Sequence, residues 1–148
     1  MSPGAFWLQL GIRGLVLIGL SMPAIAQTPE RIYRITWLSL DTQTPQVYEP
    51  FRRGLQDLGY VEGRNLVFDI VSAEGKLERL DALAAGLVRQ KVDIIVTGVT
   101  STTRAAMKAT RTIPIVMLSV PDPVGSKLIE SLARPGGNVT GLTYNSPG

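Results

Sequence analysis

Small polar and acidic residues stand in three segments that follow apolar runs, and these side chains are the best placed to do chemistry. The first segment carries Ser39 and Asp41, and the third carries Ser119 and Asp122. The middle segment is the richest in hydroxyls, and its candidates are Thr97, Gly98, Thr100, Ser101 and Thr102. Hydroxyls, backbone N–H groups and isolated carboxylates are suited to holding a small polar solute by hydrogen bonds.

Bond-breaking chemistry has little support in the residue inventory. The chain has no cysteine and no histidine, which excludes thiol nucleophiles, disulfides, zinc–thiolate sites and Ser-His-Asp catalysis. No glycine-rich phosphate-binding motif follows the first predicted strand. Acid–base work would rest on Asp41 and Asp122 alone, so we predict no catalytic residue, no metal site and no cofactor.

The middle and third loops each allow two interpretations. The middle loop opens a predicted helix, whose free N–H groups and dipole suit a carboxylate or phosphate; alternatively, Thr100 or Ser101 only caps that helix. Asp122 followed by Pro123 predicts a helix start with Asp122 as the N-cap. Asp122 is also a candidate for binding an ammonium or hydroxyl group, whereas Ser39 and Asp41 are equally typical of an ordinary turn.

Short apolar runs alternate with amphipathic segments, the pattern of parallel βαβ units. We predict strands at 32–40, 65–71, 93–98, 113–118 and 138–145. Helices are predicted at 47–58, 77–90 and 101–110, and a fourth runs from Asp122 towards Arg134. The predicted fold is α/β: a single doubly wound, flavodoxin-like parallel sheet, whose ligands bind at the carboxyl ends of the strands.

The first 26 residues have the pattern of a secretory signal peptide. An apolar run at 15–20 follows Arg13, and Ala24 and Ala26 occupy the small-residue positions of a cleavage site. Cleavage would start the mature chain at Gln27 and place it in the periplasm. An uncleaved membrane anchor and a disordered tail are the alternatives, and the absence of cysteine argues against a lipoprotein. The net charge of +3 comes from scattered basic residues, so nucleic-acid binding is not expected.

Five stretches, at 51–66, 73–85, 92–98, 112–125 and 131–142, agree in order with one family. They include FRRGLQDLGYVEGRNL, VDIIVTG and SLARPGGNVTGL. The chain resembles the ABC-transporter substrate-binding proteins of the tryptophan/tyrosine-binding type, which have the type I periplasmic binding protein fold. The resemblance implies a receptor that captures a small-molecule ligand and delivers it to an ABC permease, and some members bind aromatic amino acids. It also implies that residues 97–102 receive the ligand carboxylate, with Ser119 and Asp122 beside it.

Members of this family carry a second lobe of similar size that closes over the ligand. We therefore expect residues 27–148 to form the N-terminal lobe only, in an apparently truncated form. Two other classes share the fold. A ligand-sensing lobe of a transcription regulator would need a helix-turn-helix where the leader stands, and a stand-alone flavodoxin-like enzyme would need a catalytic set.

Overall fold

Five parallel strands build one sheet in a computed structural model that describes residues 31–143. The strands are β1 (Tyr33–Ser39), β2 (Leu66–Ser72), β3 (Ile94–Thr97), β4 (Ile115–Met117) and β5 (Val139–Gly141). They pair in the order β2-β1-β3-β4-β5. This order is that of the flavodoxin-like doubly wound fold, so the predicted fold class is confirmed. The predicted signal peptide, and the end of the fifth predicted strand at 144–145, lie outside the described residues.

Three helices connect the first four strands. They are α1 (Pro45–Asp57), α2 (Leu80–Arg89), which a 3₁₀ turn at Leu77–Arg79 precedes, and α3 (Thr100–Ala109). Pro45 stands in the first turn of α1, where its missing N–H costs nothing. Gly59 follows α1 at φ +88°, a conformation that glycine adopts without strain. Each helix lies within two residues of its predicted bounds, apart from the 3₁₀ turn that opens the second.

The sheet buries apolar side chains on both faces. On one face, Leu38 and Ile95 share a core with α2 and α3, whose buried members there include Ala84, Leu87 and Ala106. The opposite face packs against α1, which contributes Phe51 and Leu55 to a core with Ile35, Trp37 and Val96 of the strands. Alternate residues of β1 therefore point to different cores, as the two-residue period of a strand requires.

The helix predicted to run from Asp122 to Arg134 does not form, and this prediction was wrong. Asp122 and Lys127 adopt positive φ angles of 40° and 56°, which an α-helix does not allow. The chain makes successive turns instead, and Leu128 N–H donates to the carbonyl of Pro123 at 2.9 Å. Leu128 and Ile129 are buried, so two adjacent apolar residues fill the core without a helical face.

No helix in the range 31–143 is long and apolar enough to cross a membrane.

Candidate ligand-binding site

A cavity of about 340 Å³ opens where β1, β3 and β4 end. This strand-end cavity lies at the edge of the sheet where doubly wound folds bind ligands. Its volume falls within the range of small-molecule sites, about 300–1,000 Å³. All of its walls come from the loops, strand ends and helix starts on this one edge of the sheet.

Five of the nine predicted site residues line the strand-end cavity. They are Ser39, Asp41, Gly98, Thr102 and Ser119. Three segments that are far apart in sequence supply them, because the parallel order brings the carboxyl ends of β1, β3 and β4 together. The structure thus brings together at least one predicted residue from each of the three loops.

The other four predicted residues do not line this cavity. Thr97 is fully buried, and its hydroxyl lies 2.7 Å from that of Thr103. Ser101 borders a separate groove beside Leu77 of the 3₁₀ turn. Thr100 opens α3 without lining the cavity, and the carboxylate of Asp122 accepts the N–H of Gly125 at 2.8 Å.

The start of α3 differs from the capping interpretation made for Thr100 and Ser101. Val99 occupies the N-cap position and offers no side-chain acceptor. Thr102, in the first turn, donates its hydroxyl to the carbonyl of Val99 at 2.9 Å. The N–H groups of the first turn, which have no acceptor within a helix, are therefore left without a side-chain cap. Such N–H groups, with the positive end of the helix dipole, favour an anionic group.

Hydrogen bonds within the first loop hold its polar groups in place. The hydroxyl of Ser39 donates to the carbonyl of Asp41 at 2.6 Å and accepts from Nε2 of Gln43 at 2.6 Å. Nε2 of Gln43 also donates to the carbonyl of Asp41 at 3.3 Å. The loop thus presents a fixed surface to the cavity, with the side chain of Asp41 exposed.

Six cavity-lining residues were not among the sequence candidates. They are Trp37, Leu40, Gln43, Val47, Val99 and Leu118. Trp37 could have been predicted from the sequence. It lies two residues before the candidate Ser39 and so faces the same side of β1. Its ring meets Phe51 of α1 edge to face, with centroids 5.9 Å apart and planes at 81°.

Charge is sparse around the cavity, where Asp41 is the one ionisable side chain among the lining residues. An acidic group with a shifted pKa, Asp93, lies away from the cavity. The pKa of Asp93 is lowered because its carboxylate accepts the backbone N–H of Arg34 and pairs with Arg31. Asp93 precedes β3, at the opposite edge of the sheet from the cavity. Its lowered pKa therefore bears on the stability of the fold and not on the candidate site. Within residues 31–143, no group of three or more acidic side chains has the arrangement of a metal site.

Comparison with known proteins identifies the family of this chain. The family model for ABC transporter substrate binding proteins matches residues 38–147. A tyrosine-binding protein of Clostridioides difficile (strain R20291) is 40% identical over 93 residues, which are 63% of this chain and 27% of that protein.

Two solved structures have the same fold with detectable sequence similarity. The ABC domain from Streptococcus pneumoniae in complex with L-Trp is 27% identical, with a TM-score of 0.70, over 76% of this chain and 38% of that one. A conserved domain protein from Vibrio cholerae is 36% identical, with a TM-score of 0.71, over 79% of this chain and 40% of that one.

The chain spans less than half the length of each of these relatives. The family match nevertheless covers most of it, including every strand from the end of β1 onwards. The chain therefore belongs to the ABC transporter substrate-binding protein family.

Proposed function

We propose that this chain is the first lobe of a solute-binding component of an ABC import system, and that it captures a small carboxylate-bearing solute. The observation that carries the proposal is the strand-end cavity, which opens beside the uncapped first turn of α3. A helix start of this kind attracts an anionic oxygen without a lysine or arginine.

The remaining walls fit an amino acid. Asp41 is the charged side chain at the cavity, so an ammonium group would be placed towards it. Leu40, Val47 and Leu118 supply apolar surface for a hydrocarbon or aromatic side chain. The relatives point the same way, since one is named as tyrosine-binding and another was solved with L-Trp. An aromatic amino acid is the proposed ligand, and an ABC permease is the proposed partner.

The lobe by itself should bind weakly. All of the cavity walls come from one edge of the sheet, so a bound solute keeps much of its surface in water. Tight sites for small molecules bury most of the ligand. We expect a dissociation constant in the millimolar range, corresponding to a binding free energy of about −4 kcal/mol.

Calorimetry on the full chain tests the proposal. L-Tyrosine and L-tryptophan are titrated beside tyramine and tryptamine, which lack only the carboxylate. Weak heats with the amino acids and none with the amines are expected. Equal binding of the amines would contradict the carboxylate assignment, and micromolar binding by the monomer would contradict the one-sided cavity.

Export is proposed on the pattern of residues 1–26. Expression with a carboxyl-terminal tag in a Gram-negative host, followed by fractionation and amino-terminal sequencing, tests it. A periplasmic product that begins at Gln27 is expected. Intact precursor recovered from the cytosol alone would overturn the export proposal.

A further inference from the structure

Trp37 has a hydrogen-bond donor that the fold does not use. The residue is only 5% exposed, yet its indole Nε1 has no acceptor among the described residues. An indole N–H at the edge of an apolar site usually donates to an acceptor, from the protein or from outside it. The nitrogen itself is not fully enclosed. Among the side-chain nitrogen and oxygen atoms of residues 31–143, the atom that is both enclosed and without a partner is Arg52 Nε. The indole N–H of Trp37 is therefore accessible from the cavity.

The nitrogen lies beside the start of α3. A Cβ built on Gly98 would be 3.8 Å from Nε1 and from Cζ2 of Trp37. Gly98 and Trp37 line the same strand-end cavity, and the first turn of α3 begins two residues after Gly98. Val99 and Thr102 line this cavity as well, so the indole N–H and the start of α3 border one space.

We propose that Trp37 is a ligand-binding residue, whose indole N–H donates to a carboxylate oxygen held at the first turn of α3. This inference rests on the proposed function and assigns a donor that the sequence did not indicate. Neutral donors then hold the anion, which is consistent with the absence of a lysine or arginine from the cavity wall. Contact between Trp37 and Phe51 fixes the ring, so little side-chain entropy is lost on binding.

An NMR titration reads this donor directly. The chain has two tryptophans, Trp7 and Trp37, so Trp7→Phe leaves one indole resonance. Sodium acetate and L-tyrosine are added separately to this ¹⁵N-labelled full chain, with sodium chloride as the ionic control. A downfield shift of the Trp37 indole proton with both carboxylates, and not with chloride, is expected.

Substitutions provide a second test of the role of Trp37. Trp37→Phe keeps an aromatic ring against Phe51 but removes the donor, and it should weaken L-tyrosine binding roughly tenfold or more. Gly98→Ala adds a methyl group at ordinary contact distance from the indole, so it preserves the fold while crowding the acceptor position. Tyr33→Phe, away from the cavity, is the matched control and should leave binding unchanged.

The outcomes separate this inference from the proposed function. If L-tyrosine binds while the indole proton stays fixed and Trp37→Phe binds equally well, the role of Trp37 is overturned and the proposed function stands. If acetate shifts the indole proton but no amino acid binds, the carboxylate site stands and the amino-acid ligand is wrong. No shift with either carboxylate overturns the inference.

Discussion

The hydroxyl oxygens of Thr97 and Thr103 lie 2.7 Å apart in the buried interior and join the end of β3 to the first turns of α3. The hydroxyl of Thr103 also lies 2.9 Å from the carbonyl of Val99 and donates to it. These contacts fix the start of α3 beside the strand-end cavity. Thr97 therefore helps to hold this helix start in position.

Removing the hydroxyl of Thr103 should lower the free energy of unfolding more than removing that of Thr97. Thr97→Val leaves Thr103 bonded to Val99, so it should cost about 1 kcal/mol, while Thr103→Val breaks both contacts and should cost about 2 kcal/mol. Urea unfolding measures both. Thr140→Val, at an exposed position of β5, is the control and should change stability little. Equal losses at positions 97 and 140 would contradict the buried contact.

Asp122 should act in stability and not in binding. Asp122→Ala removes the acceptor for Gly125 N–H and places alanine at a positive φ, so it should cost about 1 kcal/mol. Asp122→Asn retains an acceptor oxygen and tolerates this backbone, and it should remain close to the original stability. Thermal unfolding and calorimetry test the pair. Unchanged melting with lost binding would instead give Asp122 a ligand role.

Gly141 should tolerate no side chain. Its φ is +143°, and a Cβ there would lie 1.9 Å from the carbonyl oxygen of Met117. Gly141→Ala should therefore cost more than about 2 kcal/mol by separating β5 from β4. Gly54→Ala is the matched control, because nothing lies within 4 Å of a Cβ in that part of α1. It should stabilise the chain by roughly 0.5–1 kcal/mol.

Acid should weaken the fold partly through Asp93. Because its pKa is lowered in the folded state, Asp93 contributes stability above its unfolded pKa, about 3.9, and loses it as the pH falls through the folded value. Asp93→Asn should therefore reduce stability at neutral pH and flatten its fall below about pH 4. Melting temperatures across this range measure the effect. A parallel fall in both proteins would contradict it.

Local patterns predicted the sheet and three helices well, because strands such as β3 and helices such as α2 carry their own apolar periodicity. The segment after Asp122 misled the same reasoning. Its Asp-Pro start and spaced leucines resemble a helix, but the chain takes positive φ angles at Asp122 and Lys127 and buries Leu128 without forming one. Periodicity contains no information about such backbone reversals.

The fold rule predicted which loops border the strand-end cavity, but not which of their side chains line it. Loops after β1, β3 and β4 were identified because parallel strands end at one edge. Thr97 lies two residues after Ile95 and so faces the core shared with α2 and α3, where its hydroxyl meets that of Thr103, whereas Thr102 lines the cavity. Trp37 was assigned to the strand as a whole, so its open indole N–H was missed.

Backbone NMR mapping of L-tyrosine on the ¹⁵N-labelled full chain tests the central claim most directly. Binding at the strand-end cavity predicts shifts concentrated at Ser39, Gly98, Thr100 and Ser119, with Ser131 and Arg89 unmoved. Saturation should come only at millimolar ligand. Shifts centred elsewhere, or none at saturating L-tyrosine, would contradict the assignment of this cavity as the solute-binding site.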